Sequence, residues 1–229
     1  MAASDFSQEA ESKGLAWFLG ILCALCVIVI IVLGGYWSIE PRSFDVVEEA
    51  RIRQELDHVN DLPVGYVYAN TLAHIAETLL YKPGGYLTND VGVPGLLLDN
   101  IPSWEYGVLV MLRDGTSALR NHLARSQSQS AEDPDLAVAE PYFYYEHNSW
   151  ALPSSEAEYQ KGIDALHAYM IRLADPTNKN PGHFYSRADN LWQYVEIIIK
   201  RLGGLSTQLS ASTDRYEAYD IKLDKSAAI

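Results

Sequence analysis

Cysteine and positive charge are both scarce in this sequence. Two cysteines, Cys23 and Cys26, occur among 229 residues, and 17 lysines and arginines stand against 30 aspartates and glutamates. A disulfide framework is excluded, because two neighbouring cysteines cannot cross-link a fold. The formal net charge of −13 argues against a nucleic-acid partner, since binding to phosphates requires a basic surface.

The short motifs of common enzymes and metal sites are also missing. The six histidines are at least 16 residues apart, so no His-x-x-x-His pair exists. No phosphate loop, nucleophile elbow or dinucleotide fingerprint occurs. We therefore predict no catalytic residue, no metal ligand and no cofactor. His74 and Glu77 fall on one side of a predicted helix, where a surface pair is the expected role.

One long apolar run stands out. The 23 residues from Leu15 to Trp37 carry no charge, and as a helix they would measure about 35 Å, enough to cross a hydrocarbon core of ~30 Å. A cleaved signal peptide is the alternative, but the run exceeds the usual apolar region and ends in Tyr36 and Trp37 rather than small residues. We predict a transmembrane helix over 15–37, with the lipid bilayer as its partner, after a short tail over 1–14.

The charges that flank this run leave its orientation open. Lys13 is the one lysine or arginine before the run, whereas Arg42, Arg51 and Arg53 follow it closely. The positive-inside rule then mildly favours a cytoplasmic C-terminus. A domain as long as the one that follows, however, is translocated largely regardless of charge.

Apolar spacing in the rest of the chain predicts an all-α fold. The first candidate helix has Asp45 as its N-cap and ends near Leu56. Four further candidate helices follow, at Pro63 to Tyr81, Ser103 to Leu123, Ser155 to Leu173 and Phe184 to Leu202. The last of them is predicted to end at Gly203-Gly204. No useful strand alternation occurs. Residues 38–209 are predicted to form an antiparallel helical bundle with long Gly/Pro-rich loops, followed by a polar, flexible tail over 210–229.

The last of these helices carries a six-membered apolar stripe. Its spacing is 4, 3, 4, 3 and 4 over Phe184, Ala188, Leu191, Val195, Ile198 and Leu202. A stripe of this size requires a covering surface, because each large aliphatic side chain contributes about 1.5–3 kcal/mol on burial. We therefore expect the domain to self-associate through this helix.

Two groups of residues are candidates for binding. A loop carries Asn89, Asp90, Asp99 and Asn100, whose oxygens suit a hydrated cation or polar ligand, although these residues also form turns beside glycine and proline. An aromatic cluster follows Pro141 and comprises Tyr142, Phe143, Tyr144, Tyr145 and Trp150. It predicts either a surface for a protein or glycan or, as is commoner for large aromatics, packing into the core.

Four strings resemble a known family. They are GYLTND at residues 85–90, PGLLLDNIPSWEYG at 94–107, NSWALPS at 148–154 and RADNL at 187–191. They are similar to blocks of an uncharacterised proteobacterial family, the domain of unknown function twenty-three thirty-three, over about Tyr36 to Ser212. The resemblance implies a single-pass inner-membrane protein with its C-terminal domain in the periplasm.

The sequence favours a non-enzymatic envelope interaction or scaffold protein that binds an unidentified envelope protein or a copy of itself. The alternative is a membrane-tethered enzyme that acts on cell-wall or lipid substrates through the loop with Asp90 and Asp99. Two carboxylates that converge in a concave pocket would favour the enzyme, whereas solvated carboxylates on a convex loop would favour the interaction protein.

Overall fold

The computed structural model describes the backbone of residues 2–55, 61–126 and 131–227, and the side chains of 17–55, 61–126 and 131–213. In these ranges the chain forms seven α-helices and no β-strand, which confirms the predicted all-α fold. The helices are α1 (Ala2–Trp37), α2 (Val46–Arg53), α3 (Tyr66–Tyr81), α4 (Asn100–Ala118), α5 (Pro134–Phe143), α6 (Ser155–Ala174) and α7 (Ala188–Ala227). A short 3-10 turn, Gly95–Leu97, precedes α4, and a π-helical turn, Leu119–Leu123, follows it.

Helix α1 is long and apolar. Its segment Trp17–Trp37 has 21 residues and a mean hydropathy of 3.0, and is long and apolar enough to cross a membrane. Most of its large side chains, such as Ile28 and Ile31, are exposed rather than packed on the rest of the chain. The helix is continuous from Ala2, so the expected tail over 1–14 is helical from that residue.

Helices α3 to α6 enclose the hydrophobic core. Helix α6 packs against both α5 and α3, and α4 packs against α3 and α5. The largest fully buried side chains come from these helices and the turn after α4, and include Tyr66, Leu79, Leu109, Leu112, Leu119, Leu136, Phe143, Tyr159, Ile163, Leu166 and Tyr169. The predicted bundle is therefore observed, with its core on α6 where the spacing placed it.

Helix α5 was not predicted. Asp133 is its N-cap and accepts hydrogen bonds from the backbone N–H groups of Asp135 (3.0 Å) and Leu136 (3.3 Å), and Pro134 occupies the first turn. Residues 127–130, shortly before this helix, lie outside the described ranges. Pro141 stands inside the helix, and proline there conceals a helical pattern.

Four helix starts differ from the predicted ones, and one of them is that of α7, which begins at Ala188 rather than Phe184. Helix α3 begins at Tyr66 rather than Pro63. Helix α4 begins after Asp99, so Ser103 is not its cap. Ser154 caps α6 in place of Ser155, whose buried hydroxyl instead donates to the carbonyl of Glu146 (2.7 Å). Asp45 caps α2 as predicted, and the expected end of that helix at Leu56 lies outside the described residues.

The predicted end of the last helix at Gly203-Gly204 is wrong. Helix α7 passes through both glycines and continues to Ala227, which includes most of the segment expected to be a polar tail over 210–229. A helical glycine costs about 1 kcal/mol relative to alanine, which the flanking turns can absorb. The hydroxyl of Thr207 also donates to the carbonyl of Gly203 (3.0 Å) within the helix.

Candidate functional site

The four residues of the predicted polar loop do not form one site. Asn89 is buried, and its amide donates to the carbonyl of Ser149 (2.7 Å) and to Glu156 (2.8 Å). Asn100 lies at the start of α4, and its amide donates to the carbonyl of Ser38 (3.3 Å). The two asparagines therefore hold different neighbouring segments in place, as turn and loop residues do.

The two aspartates of this loop also have different surroundings. The carboxylate of Asp90 lies against Gly95, where a Cβ atom would come within 2.2 Å of its Oδ2. Burial raises the pKa of Asp90, and the nearby charges of Glu156 and Glu105 raise it further. Asp99 is exposed at the N-cap of α4. Neither carboxylate lines the apolar groove described below.

Behind this loop lies a buried ion pair that no local sequence pattern predicted. The ammonium of Lys82, just after α3, binds the carboxylate of Glu105 on α4. Glu105 also accepts hydrogen bonds from the backbone N–H groups of Leu87 (2.8 Å) and Thr88 (2.7 Å). Several donors therefore converge on this carboxylate, which serves to hold the chain after α3 on α4.

A second charged cluster joins three helices at the protein surface. Glu77 on α3 accepts from Arg53 on α2 (2.9 Å) and contacts the ring of His167 on α6 (2.9 Å). Burial alone would raise the pKa of Glu77, but hydrogen bonds from His167 and Arg53 lower it to about 2. His74, expected to pair with Glu77, instead lies 3.1 Å from Glu49. Among the described residues, no group of three or more His, Cys, Asp or Glu side chains could hold a metal ion.

The aromatic cluster divides between core and surface. Phe143 is completely buried, and Tyr142 lies under the ammonium of Lys161, 5.4 Å from the ring centre. Tyr144 and Trp150 are exposed. Phe143 therefore packs into the core, because the backbone of α5 directs it inward. Tyr144 and Trp150 instead belong to the surface.

A large concave feature of the described residues is an apolar groove between α3 and α4, which we call the α3–α4 groove. Its volume is about 1220 Å³. Apolar and aromatic side chains line most of it, including Phe44, Val67, Tyr68, Ile75, Trp104 and Met111. The segment after α1 forms one rim, and Tyr194 and Leu205 of α7 form another. Among its described lining residues, Arg42 carries the one formal charge.

Helix α7 contacts the bundle along one side. The ring of Tyr194 packs edge-on against Tyr68, with the ring centres 5.3 Å apart. Arg201 forms a bidentate ion pair with Asp114 of α4 at 2.7 and 2.8 Å. Positions 194, 198, 201 and 205 follow helical spacing, so this side of α7 faces the groove and α4.

The neighbouring side of α7, about 100° around the helix from the side that faces the groove and α4, is apolar and exposed. We call it the outer face of α7, and it consists of Trp192, Val195, Ile199, Leu202 and Leu209. Their exposure ranges from 37% at Val195 to 70% at Leu209. This face extends about 26 Å along the helix. Of the predicted stripe, Leu191, Val195 and Leu202 are exposed, whereas Ile198 is half-buried.

Comparison with known proteins identifies a family. No curated protein and no solved structure matches the chain. The family model described as an uncharacterized protein conserved in bacteria, DUF2333, matches residues 10–228. Since the match covers nearly the whole chain, including most of α1 and the complete helical bundle, the chain belongs to the DUF2333 family.

Proposed function

We propose that this protein is a single-pass inner-membrane protein whose C-terminal domain lies in the periplasm and binds a protein partner. The outer face of α7 is the main binding surface, and the α3–α4 groove beside it completes the surface. Its role is that of a non-enzymatic interaction or scaffold protein of the envelope.

The exposed outer face of α7 is the observation that carries this proposal. Five large apolar side chains recur at helical spacing on a surface without a covering element among the described residues. Burial of each contributes about 1.5–3 kcal/mol. Large contiguous apolar patches on soluble domains mark interaction sites. A partner that covers this face therefore has a substantial driving force for binding.

The shape of the surface favours a helical partner. An amphipathic helix binds an apolar groove through side chains at positions i, i+3, i+4 and i+7. The α3–α4 groove offers mostly apolar walls, and α7 offers a straight apolar edge. Two sources of such a helix fit this surface. One is an unidentified envelope protein, and the other is α7 of a second copy of this chain.

The composition of the groove supports binding over hydrolysis. An enzyme of the cell wall or of lipids requires paired acid and base groups in a pocket. Asp90 and Asp99 are not among the described residues that line the groove, and Arg42 is its one charged side chain. The enzyme alternative therefore has no specific geometric observation in its favour.

Site-specific crosslinking in native membranes tests the binding surface. A benzoylphenylalanine placed at Ile199 should give a discrete crosslinked product whose mass distinguishes a second copy from another protein. The matched control is the same substitution at Lys200, which is exposed but points about 100° away around the helix. The product should disappear when Ile199 carries the crosslinker in a Leu202→Asp background. Equal crosslinking at Ile199 and Lys200 would refute the surface.

Reporter fusions test the location separately. An alkaline phosphatase fused after Ile229 should be active, because this enzyme matures only after export, and a green fluorescent protein fused there should be dark. The proposed span and the sequence resemblance both motivate this expectation, against the weak bias of Arg42, Arg51 and Arg53. The reverse reporter pattern would place the domain in the cytoplasm.

A further inference from the structure

A second apolar surface lies beside the end of the proposed membrane span. Residues 91–98 read VGVPGLLL and contain no charge. Val91, Val93, Leu96 and Leu97 of this segment, which we call the 91–98 loop, are between 57% and 69% exposed. Four exposed aliphatic side chains in one short loop form a patch that water solvates poorly.

The 91–98 loop touches α1 directly. Gly34 of α1 is buried, and a Cβ atom there would lie 3.5 Å from Cβ of Pro94 and 3.9 Å from Cδ2 of Leu98. Both distances are ordinary van der Waals contacts, so the loop packs directly beside Gly34. One turn further along, the carbonyl of Ser38 accepts the amide of Asn100. The loop is therefore held against the last turn of the apolar helix.

The position of Gly34 fixes the level of the loop relative to a bilayer. The apolar segment Trp17–Trp37 has 21 residues and measures about 31 Å, close to the ~30 Å of a hydrocarbon core. Gly34 lies three residues before its end, about 4–5 Å inside it. Pro94 packs at the same level, and the exposed Tyr36 lies where interfacial aromatic residues are found.

We propose that the 91–98 loop inserts Val93, Leu96 and Leu97 into the lipid bilayer as a second membrane contact beside α1. This inference rests on the proposed membrane span, and the loop enters the leaflet in which α1 ends. Continuity with the apolar surface of α1 selects lipid, because a loop at this level is surrounded by acyl chains and headgroups. The uncharged sequence of the loop removes the main cost of insertion.

The rest of the domain holds the loop in this position. Leu87 and Thr88, just before the loop, are bound through their backbone N–H groups to Glu105 on α4. Asp90 packs against Gly95 within the segment. The apolar side chains are thus presented by a fixed scaffold, which the buried carboxylate of Glu105 holds from the inner side.

Depth-dependent fluorescence quenching in the full chain tests this inference. Cys23 and Cys26 are replaced by alanine, and a single Leu96→Cys is labelled with the fluorophore NBD and reconstituted in phosphatidylcholine and phosphatidylglycerol vesicles, with or without brominated acyl chains. The probe should emit at shorter wavelength and lose emission in brominated lipid. A Val93→Cys variant repeats the measurement in case the label at position 96 disturbs the loop.

Two control positions separate the possible results. The first control is Ile171→Cys, because Ile171 is a similarly exposed aliphatic residue on α6. It lies 15 residues, or about 22 Å, along the helix from Glu156, which contacts Asn89 just before the 91–98 loop. Its label should not be quenched. Ile28→Cys reports on the span itself. Quenching at Ile28 without quenching at Leu96 and Val93, or equal quenching at Ile171, would overturn the loop insertion alone. Absence of quenching at Ile28 would overturn the span and, with it, the inference.

Discussion

The ammonium of Lys82 and the carboxylate of Glu105 form an ion pair whose side chains are 1% and 0% exposed. Lys82 lies just after α3, and Glu105 lies in the second turn of α4. Burial lowers the pKa of Lys82, and the hydrogen bond and charge of Glu105 oppose that change. The pair joins two core helices and anchors the chain that leads to the 91–98 loop.

Removal of one partner of this pair should destabilise the protein strongly. Lys82→Met leaves the Glu105 carboxylate buried without its cation, which typically costs about 3–5 kcal/mol. The double variant Lys82→Met with Glu105→Gln should recover part of this loss, because the buried charge is also removed. Urea unfolding of the full chain in detergent, followed by circular dichroism, measures both values.

Lys200→Met is the control for this experiment. Its ammonium pairs with Glu196 across an exposed helical turn, and such surface pairs contribute about 0–1 kcal/mol. If Lys82→Met and Lys200→Met had similar free energies of unfolding, the buried pair would have no special structural role.

The Glu77 cluster should make stability depend on acid pH. The pKa of Glu77 is lowered from 4.5 to about 2 in the folded protein, so the folded state favours the carboxylate. The stabilisation is present above pH 4.5 and is lost as the pH falls from 4.5 towards 2. The advantage of the wild type over Glu77→Gln, about 1–3 kcal/mol near pH 7, should shrink across that range. An advantage that stays constant down to pH 3 would contradict this prediction.

Asn70 carries an unusual cost in the core. Its side chain is fully buried, and neither its Nδ2 nor its Oδ1 atom has a hydrogen-bond partner among the residues that the structure describes. Asn70→Leu should therefore raise the free energy of unfolding by about 1–3 kcal/mol, because it removes two desolvated polar groups. The matched substitution Asn121→Leu should lower it, since the amide of Asn121 donates to the carbonyl of Ser117 (2.9 Å). Destabilisation by Asn70→Leu would indicate a required polar role at that position.

Adjacent residues of α7 should respond differently to the same substitution. Ile198 lies with Tyr194 and Arg201 on the side of α7 that faces the groove and α4. Ile198→Asp should therefore destabilise the protein by about 1–3 kcal/mol. Ile199→Asp, on the outer face, should change stability by less than about 0.5 kcal/mol but reduce self-association. Light scattering in detergent and urea unfolding measure the two effects. A wild-type protein that is monomeric at all concentrations would contradict self-association.

Hydrophobic spacing predicted most of the helices but not which apolar sides are covered. On α6, Tyr159, Ile163 and Leu166 recur at helical spacing and are buried, because helices pack on them from two sides. On α3 and α4, Tyr68 and Met111 also belong to apolar residues at helical spacing, but they line the groove instead. A periodic pattern reports that a helix side is apolar, whereas its covering depends on the position of other helices.

The buried ion pair was hidden for a different reason. Lys82 and Glu105 are separated by 23 residues and by a loop of turns. Lys82 lies beside Pro83 at the end of a helix. Glu105 falls in the first turn of the helix predicted from Ser103, where acidic residues are common. Each residue therefore has an ordinary local role. Their partnership arises only when α3 and α4 pack, which no local pattern encodes.

The contacts of Gly34 with Pro94 and of Ser38 with Asn100 also constrain how the domain meets its partners. A domain on a flexible tether samples many tilts and heights, whereas one docked on its own anchor keeps a single orientation. If α1 spans the bilayer as proposed, the groove and α7 stand at one level above the lipid. Partners anchored in the same membrane then encounter this surface by lateral diffusion, at a high effective concentration set by the plane of the membrane. Partners whose binding segment lies at another height above the membrane do not reach this surface, whatever their side chains.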